Sequence, residues 1–158
     1  MDDKFTISYI IDSIDRDALR FEPDQLSFQL HAIEGRAVVS MGEKTIDVPS
    51  CALLFLTHNL TYLAVMPLLY RTEEWEANID HGLDMSSWMV GDRLRLRFRG
   101  LPTPPPVNFD VPPLEALAEI GRVGGELVKA YYDAVGDKRK FGRISALLPF
   151  ASVKLMPQ

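Results

Sequence analysis

The stretch Asp92-Arg93-Leu94-Arg95-Leu96-Arg97-Phe98-Arg99 alternates charge and hydrocarbon without a slip. An extended chain turns that alternation into two faces, with Leu94, Leu96 and Phe98 on one and Arg93, Arg95, Arg97 and Arg99 on the other. The expectation is a half-buried strand with an unusually charged outer side. That side is the leading candidate surface for meeting a partner, although it does not name one.

Further alternating runs flank this strand and give the fold class. Phe5, Ile7, Tyr9 and Ile11 alternate with Thr6 and Ser8 as a first strand, and Asp12 to Gln25 is a polar connection. Leu26 to Ile33, Arg36 to Met41 and Lys44 to Val48 read as a three-stranded meander, turned at Glu34-Gly35 and at Gly42-Glu43, because short glycine-containing joints between apolar runs signal hairpins. A second meander runs from Glu74 to Ile79, turns at Asp80-His81-Gly82, returns over Leu83 to Val90, and ends in the arginine strand after a tight turn at Gly91-Asp92. Its alternation stumbles at Ser86-Ser87-Trp88, where a bulge would bring Met85 and Trp88 to one face.

Between the meanders, Pro49 to Met66 has no period of two and reads as a mostly buried helix ending before Pro67; the rival is a hairpin turning at His58-Asn59. Leu101 to Pro106 carries four prolines and forms a stiff extended connector. The clearest helix spans Pro112 to Val135, with Glu115, Glu119, Arg122, Glu126, Lys129 and Asp133 as a narrow polar stripe on an apolar cylinder, prolines in the first turn and Gly136 as the cap. Gly121, Gly124 and Gly125 inside it point to close packing, since each costs about 0.8 to 1 kcal/mol relative to alanine. Together these elements predict an α+β fold: an antiparallel sheet built from two meanders, covered on one face by the long helix and the middle helix.

Composition bounds the function. The 158 residues are most simply one domain, 1-158, large enough to bury roughly 70% of its unfolded surface without staples. A net charge of −5 argues against generic nucleic-acid binding and allows a basic partner. No run approaches the ~18 apolar residues of a membrane span, and the acidic start Met1-Asp2-Asp3 is unlike a secretory signal. Cys51, the single cysteine, sits beside Ala52 and Leu53 as a small core residue and excludes an intrachain disulfide, which fits a reducing, cytoplasmic location.

No motif supplies a catalytic group. Gly121 to Glu126 lacks the Gly-Lys-Ser/Thr ending of a phosphate loop, and no Gly-x-Ser-x-Gly elbow or His-Glu-x-x-His helix occurs. His31, His58 and His81 show no spacing that would hold a metal, so no cofactor and no metal ligand is assigned. Lys138, Arg139, Lys140 and Arg143 suit the C-terminal end of the long helix, with a small anion-binding loop as the alternative.

What remains is the charged face. In a consecutive meander, the outer side chains Glu74 and Glu76 stand two strand spacings, roughly 9 to 10 Å, from the arginines, and the pairs can bridge over Ser86 with Trp88 under an arginine. Such a lattice is either a solvated surface or a recognition site. The expectation is a small cytosolic protein that binds another protein, of the kind that neutralises a toxin as an immunity protein, through Arg93, Arg95, Arg97, Arg99, Glu74, Glu76 and Trp88. The alternatives are a small-molecule enzyme or binder using His31 or His58 in a pocket between sheet and helices, and a homo-oligomeric structural subunit.

Overall fold

The computed structural model describes residues 3–16, 31–79, 83–100 and 105–135. Seven strands and two helices follow in the order β1 (Thr6–Ile14), β2 (Ile33–Met41), β3 (Lys44–Ala52), α1 (Leu53–Leu69), β4 (Trp75–Ile79), β5 (Leu83–Val90), β6 (Arg93–Arg99), β7 (Val107–Val111) and α2 (Pro113–Val135). The fold is α+β, and each meander forms its own antiparallel sheet, ordered β1-β2-β3 and β4-β5-β6-β7. The Lys44 ammonium donates to the Asn108 carbonyl at 2.9 Å where β3 meets β7.

The first sheet differs from the sequence expectation in its membership. The turn at Gly42 is present, with φ at +60° as a tight hairpin turn demands. The expected turn at Glu34-Gly35 is not: β2 runs through both residues and pairs with β1. Gly35 answers a close approach instead, because a Cβ there would lie 2.1 Å from the Ile10 carbonyl oxygen. The third strand of this sheet is therefore β1, and most of the expected Leu26 to Ile33 run lies outside the described residues.

The middle segment is a helix and not a hairpin, but it begins at Leu53 after β3 has carried the chain through Pro49, and it continues past Pro67. Its polar residues fit an apolar setting by bonding back along the helix: Thr57 Oγ1 donates to Leu53 O at 2.7 Å, Asn59 Nδ2 to Phe55 O at 2.8 Å, and Thr61 Oγ1 to Thr57 O at 2.9 Å. Pro67 has no N–H for the carbonyl four residues earlier, that of Leu63. That carbonyl accepts a hydrogen bond from Ser87 Oγ on β5 at 2.7 Å, so the proline leaves no orphan at this depth.

The same hydroxyl removes the expected bulge. The pairing of β5 with β4 and β6 is continuous from Trp75↔Ser87 to Ile79↔Leu83 and from Asp84↔Arg99 to Val90↔Arg93. Met85 and Ser87 face the core, whereas Trp88 stays on the outer face. The hydropathy alternation breaks at Ser87, but the geometric alternation does not, because the buried hydroxyl has a helix carbonyl to serve.

The core is one cluster drawing on Phe5, Ile7 and Val39 of the first sheet, Leu94, Leu96, Phe98 and Phe109 of the second, and both helices. Phe109 meets the Phe98 and Phe5 rings edge-on, at 5.6 and 5.9 Å between centroids. In α2, Gly121, Gly124 and Gly125 are buried, as is Tyr131. The polar stripe of α2 is not uniformly solvated, since Glu119 is buried. Glu119 Oε1 accepts the Ile7 N–H at 2.9 Å, Glu115 Oε1 accepts the Phe5 N–H at 3.2 Å, and Arg122 donates to the Ile7 carbonyl at 2.7 Å. Helix side chains thus occupy the start of the edge strand β1, where a further strand would otherwise pair. The expected helix cap at Gly136 and the basic loop beyond it lie outside the described residues.

Candidate functional site

The arginine strand faces as its alternation predicts. Leu94, Leu96 and Phe98 are at most 1% exposed, whereas the arginines lie on the opposite side of the sheet. Helix α1 packs on the inner side, as the Ser87 bond shows, α2 packs on α1 and β1, and among the described residues no helix or strand stacks on the outer face. That face is a grid one side chain deep. Glu76, Ser86, Arg97 and Asn108 form one cross-strand row, and Trp88, Arg95 and Asp110 form the next.

The pairing within the grid differs from the expected arginine–glutamate lattice. Strand β7, not assigned from sequence, sets Asp110 directly opposite Arg95, and the two form a forked pair at 2.7 and 2.8 Å. Arg93 donates to the Asp110 backbone carbonyl at 2.8 Å, and Arg97 donates to Asn108 Oδ1 at 3.0 Å. Arg99 pairs with Asp84 on β5 at 3.1 Å. Among the described residues Glu74 and Glu76 make no ion pair, which corrects the bridge over Ser86. The physical reason is distance: a neighbour one strand spacing away, at about 4.8 Å, wins over one at two spacings. The hydrogen bond from Arg95 holds the Asp110 carboxyl below the usual carboxylate range, helped by the charges of Lys44 and Arg93.

Trp88 lies under an arginine as expected, with the Arg97 guanidinium 4.6 Å from the ring centre and that of Arg95 at 5.9 Å. Arg97 is thereby drawn toward Trp88 and Asn108, away from Glu76. The space left between them is a cavity of about 290 Å³ lined by Glu74, Glu76, Asn78, Asp84, Met85, Ser86, Arg97 and Arg99. Of the seven residues assigned to the face from sequence, Glu74, Glu76, Arg97 and Arg99 thus share one cavity, while Arg93, Arg95 and Trp88 lie beside it. Sequence reasoning missed Asn108 and Asp110. Their signal was the alternation Val107-Asn108-Phe109-Asp110-Val111, five residues partly hidden behind the proline run.

The remaining candidates fall into structural roles. His31 stacks on Phe55 with ring centres 5.7 Å apart and lies 3.5 Å from Glu34. Cys51 is buried, and desolvation pushes its thiol up to about 11, which leaves little thiolate at neutral pH. Burial also pushes the Tyr9 phenol up, its hydroxyl sharing a 2.7 Å hydrogen bond with Thr57. Among the described residues no group of three or more His, Cys, Asp or Glu is placed to hold a metal ion, and no helix is long and apolar enough to cross a membrane.

No family model, no curated protein and no solved structure matches this chain.

Proposed function

We propose that this chain is a protein-binding module that recognises its partner with the outer face of the β4–β7 sheet, acting in a reducing compartment in the manner of a sequestering or immunity-type protein. The observation that supports it is the ordered Trp88–Arg97 stack beside the Arg95–Asp110 fork, on a face that no described element covers. Tryptophan and arginine dominate the energetics of protein interfaces. Side chains already held in place lose little entropy on binding. The net charge of −5 favours encounter with a basic partner over an acidic one. The single buried cysteine is consistent with the compartment.

The test is affinity capture by the full chain, compared between wild type and the variants Trp88→Ala and Arg97→Glu. A specific partner, such as the product of an adjacent gene, should bind the wild type and be lost from both variants while thermal unfolding stays nearly unchanged. Equal capture by all three proteins would move the interface off this face.

A further inference from the structure

The cavity between β4 and β6 has an asymmetry of charge. On its β6 side both guanidiniums are engaged, Arg99 by Asp84 and Arg97 by Asn108 and the Trp88 ring. On its β4 side Glu74 and Glu76 have no hydrogen-bond or ion-pair partner among the described residues. Ser86 forms the floor, directly across the strands from both Glu76 and Arg97. It is only 8% exposed, and its hydroxyl has no hydrogen-bond partner among the described residues. That hydroxyl opens into the cavity, where it is available to a ligand that displaces water.

The geometry points to a socket for one lysine or arginine side chain of a protein partner, seated between the Glu74 and Glu76 carboxylates and ending at Ser86 Oγ. This rests on the face being the recognition surface, and it names the chemistry of the anchor. The cation meets two carboxylates free of other charges, and the Ser86 oxygen accepts from its N–H. Asp84 offsets the charge of Arg99, and Asn108 and the Trp88 ring hold the Arg97 guanidinium on the β6 side, so the two unpaired carboxylates of the β4 wall outweigh the one unpaired guanidinium opposite. The acidic balance of the whole chain adds a long-range preference of the same sign. An anionic group would instead meet three carboxylates in the lining, those of Glu74, Glu76 and Asp84.

The experiment is an NMR titration of the ¹⁵N-labelled full chain with two capped tripeptides, acetyl-Gly-Arg-Gly-amide and acetyl-Gly-Glu-Gly-amide. The arginine peptide should give saturable shifts at the Glu76 and Ser86 amides that weaken as salt rises, and the glutamate peptide should give none. Glu74→Gln/Glu76→Gln, conservative changes at exposed positions, should weaken binding by roughly tenfold or more. Ser86→Val, which fills the floor with a residue at home in strands, should abolish it. Absence of saturable binding, a response to the glutamate peptide alone, or full binding by the Gln variant overturns the socket. The two claims separate cleanly. If a captured partner survives the Gln variant but not Arg97→Glu, the socket is wrong and the face is right. If the arginine peptide binds as described while no protein partner depends on this face, the socket stands and the proposed function falls.

Discussion

Replacing Ser87 by alanine should destabilise the protein chiefly because of a proline on another element of the fold. Pro67 lies inside α1 and cannot donate to the Leu63 carbonyl, and Ser87 Oγ fills that role at 2.7 Å. Ser87 is fully buried, so no water stands ready to replace the hydroxyl once it is gone. An orphaned buried carbonyl costs about 1 to 3 kcal/mol. For a chain of this size that corresponds to a fall in Tm of about 2 to 4 °C per kcal/mol. The informative measurement is a double-mutant cycle by chemical denaturation. Pro67→Ala restores an N–H that can reach Leu63 O within the helix. Ser87→Ala should therefore cost about 1 kcal/mol or more less in the Pro67→Ala background than in the wild type. Effects that add within about 0.5 kcal/mol would show that the two residues are independent, and the account of how α1 tolerates its proline would be refuted.

Glu119→Ala should unfasten β1 from α2, costing about 2 to 4 kcal/mol at pH 7 because it strands the Ile7 N–H and removes a charged acceptor from Arg122. Burial pushes the Glu119 carboxyl up, yet the hydrogen bonds from Arg122 and Ile7 and the charges of Arg122 and Lys4 outweigh it, leaving the carboxyl below its ordinary value of 4.5. The folded-state value being depressed, this stability is present above the unfolded value and is lost as pH falls through the folded one. The deficit of the variant should therefore shrink below pH 4.5 in denaturant titrations; a deficit that grows in acid would contradict the clasp. Leu96→Ala should cost about 2 to 5 kcal/mol by calorimetry, and Arg99→Ala, whose ion pair is exposed, no more than about 1 kcal/mol. Equal losses would reverse the facing of β6.

Much of the architecture is local enough to read from the chain. A period of two over Arg93–Arg99 needs no neighbour to declare which side is apolar, and α2 declares itself by three- and four-residue spacing over 23 residues. The turn at Gly42 is equally local, since positive φ there suits glycine. These features set the class, most of the strands and the side of the sheet that faces outward.

The partners of the arginines were settled elsewhere. Arg95 and Arg97 could have met any acidic or amide side chain within reach, and only the docking of β7 beside β6 made Asp110 and Asn108 nearer than Glu74 and Glu76. The continuation of α1 through Pro67 likewise depends on a hydroxyl delivered by β5, and the absence of a turn at Gly35 on the close passage of the Ile10 carbonyl. Each of these is a hydrogen-bond or steric demand met by a residue distant in sequence. Periodicity records which way a side chain points, whereas what stands opposite it depends on strand order and helix placement. The faces of this protein are thus written in its local pattern. Which charges on the outer face are neutralised, and which two carboxylates are left to line an open cavity, follows from how β7 and β4 dock on either side of the central strands.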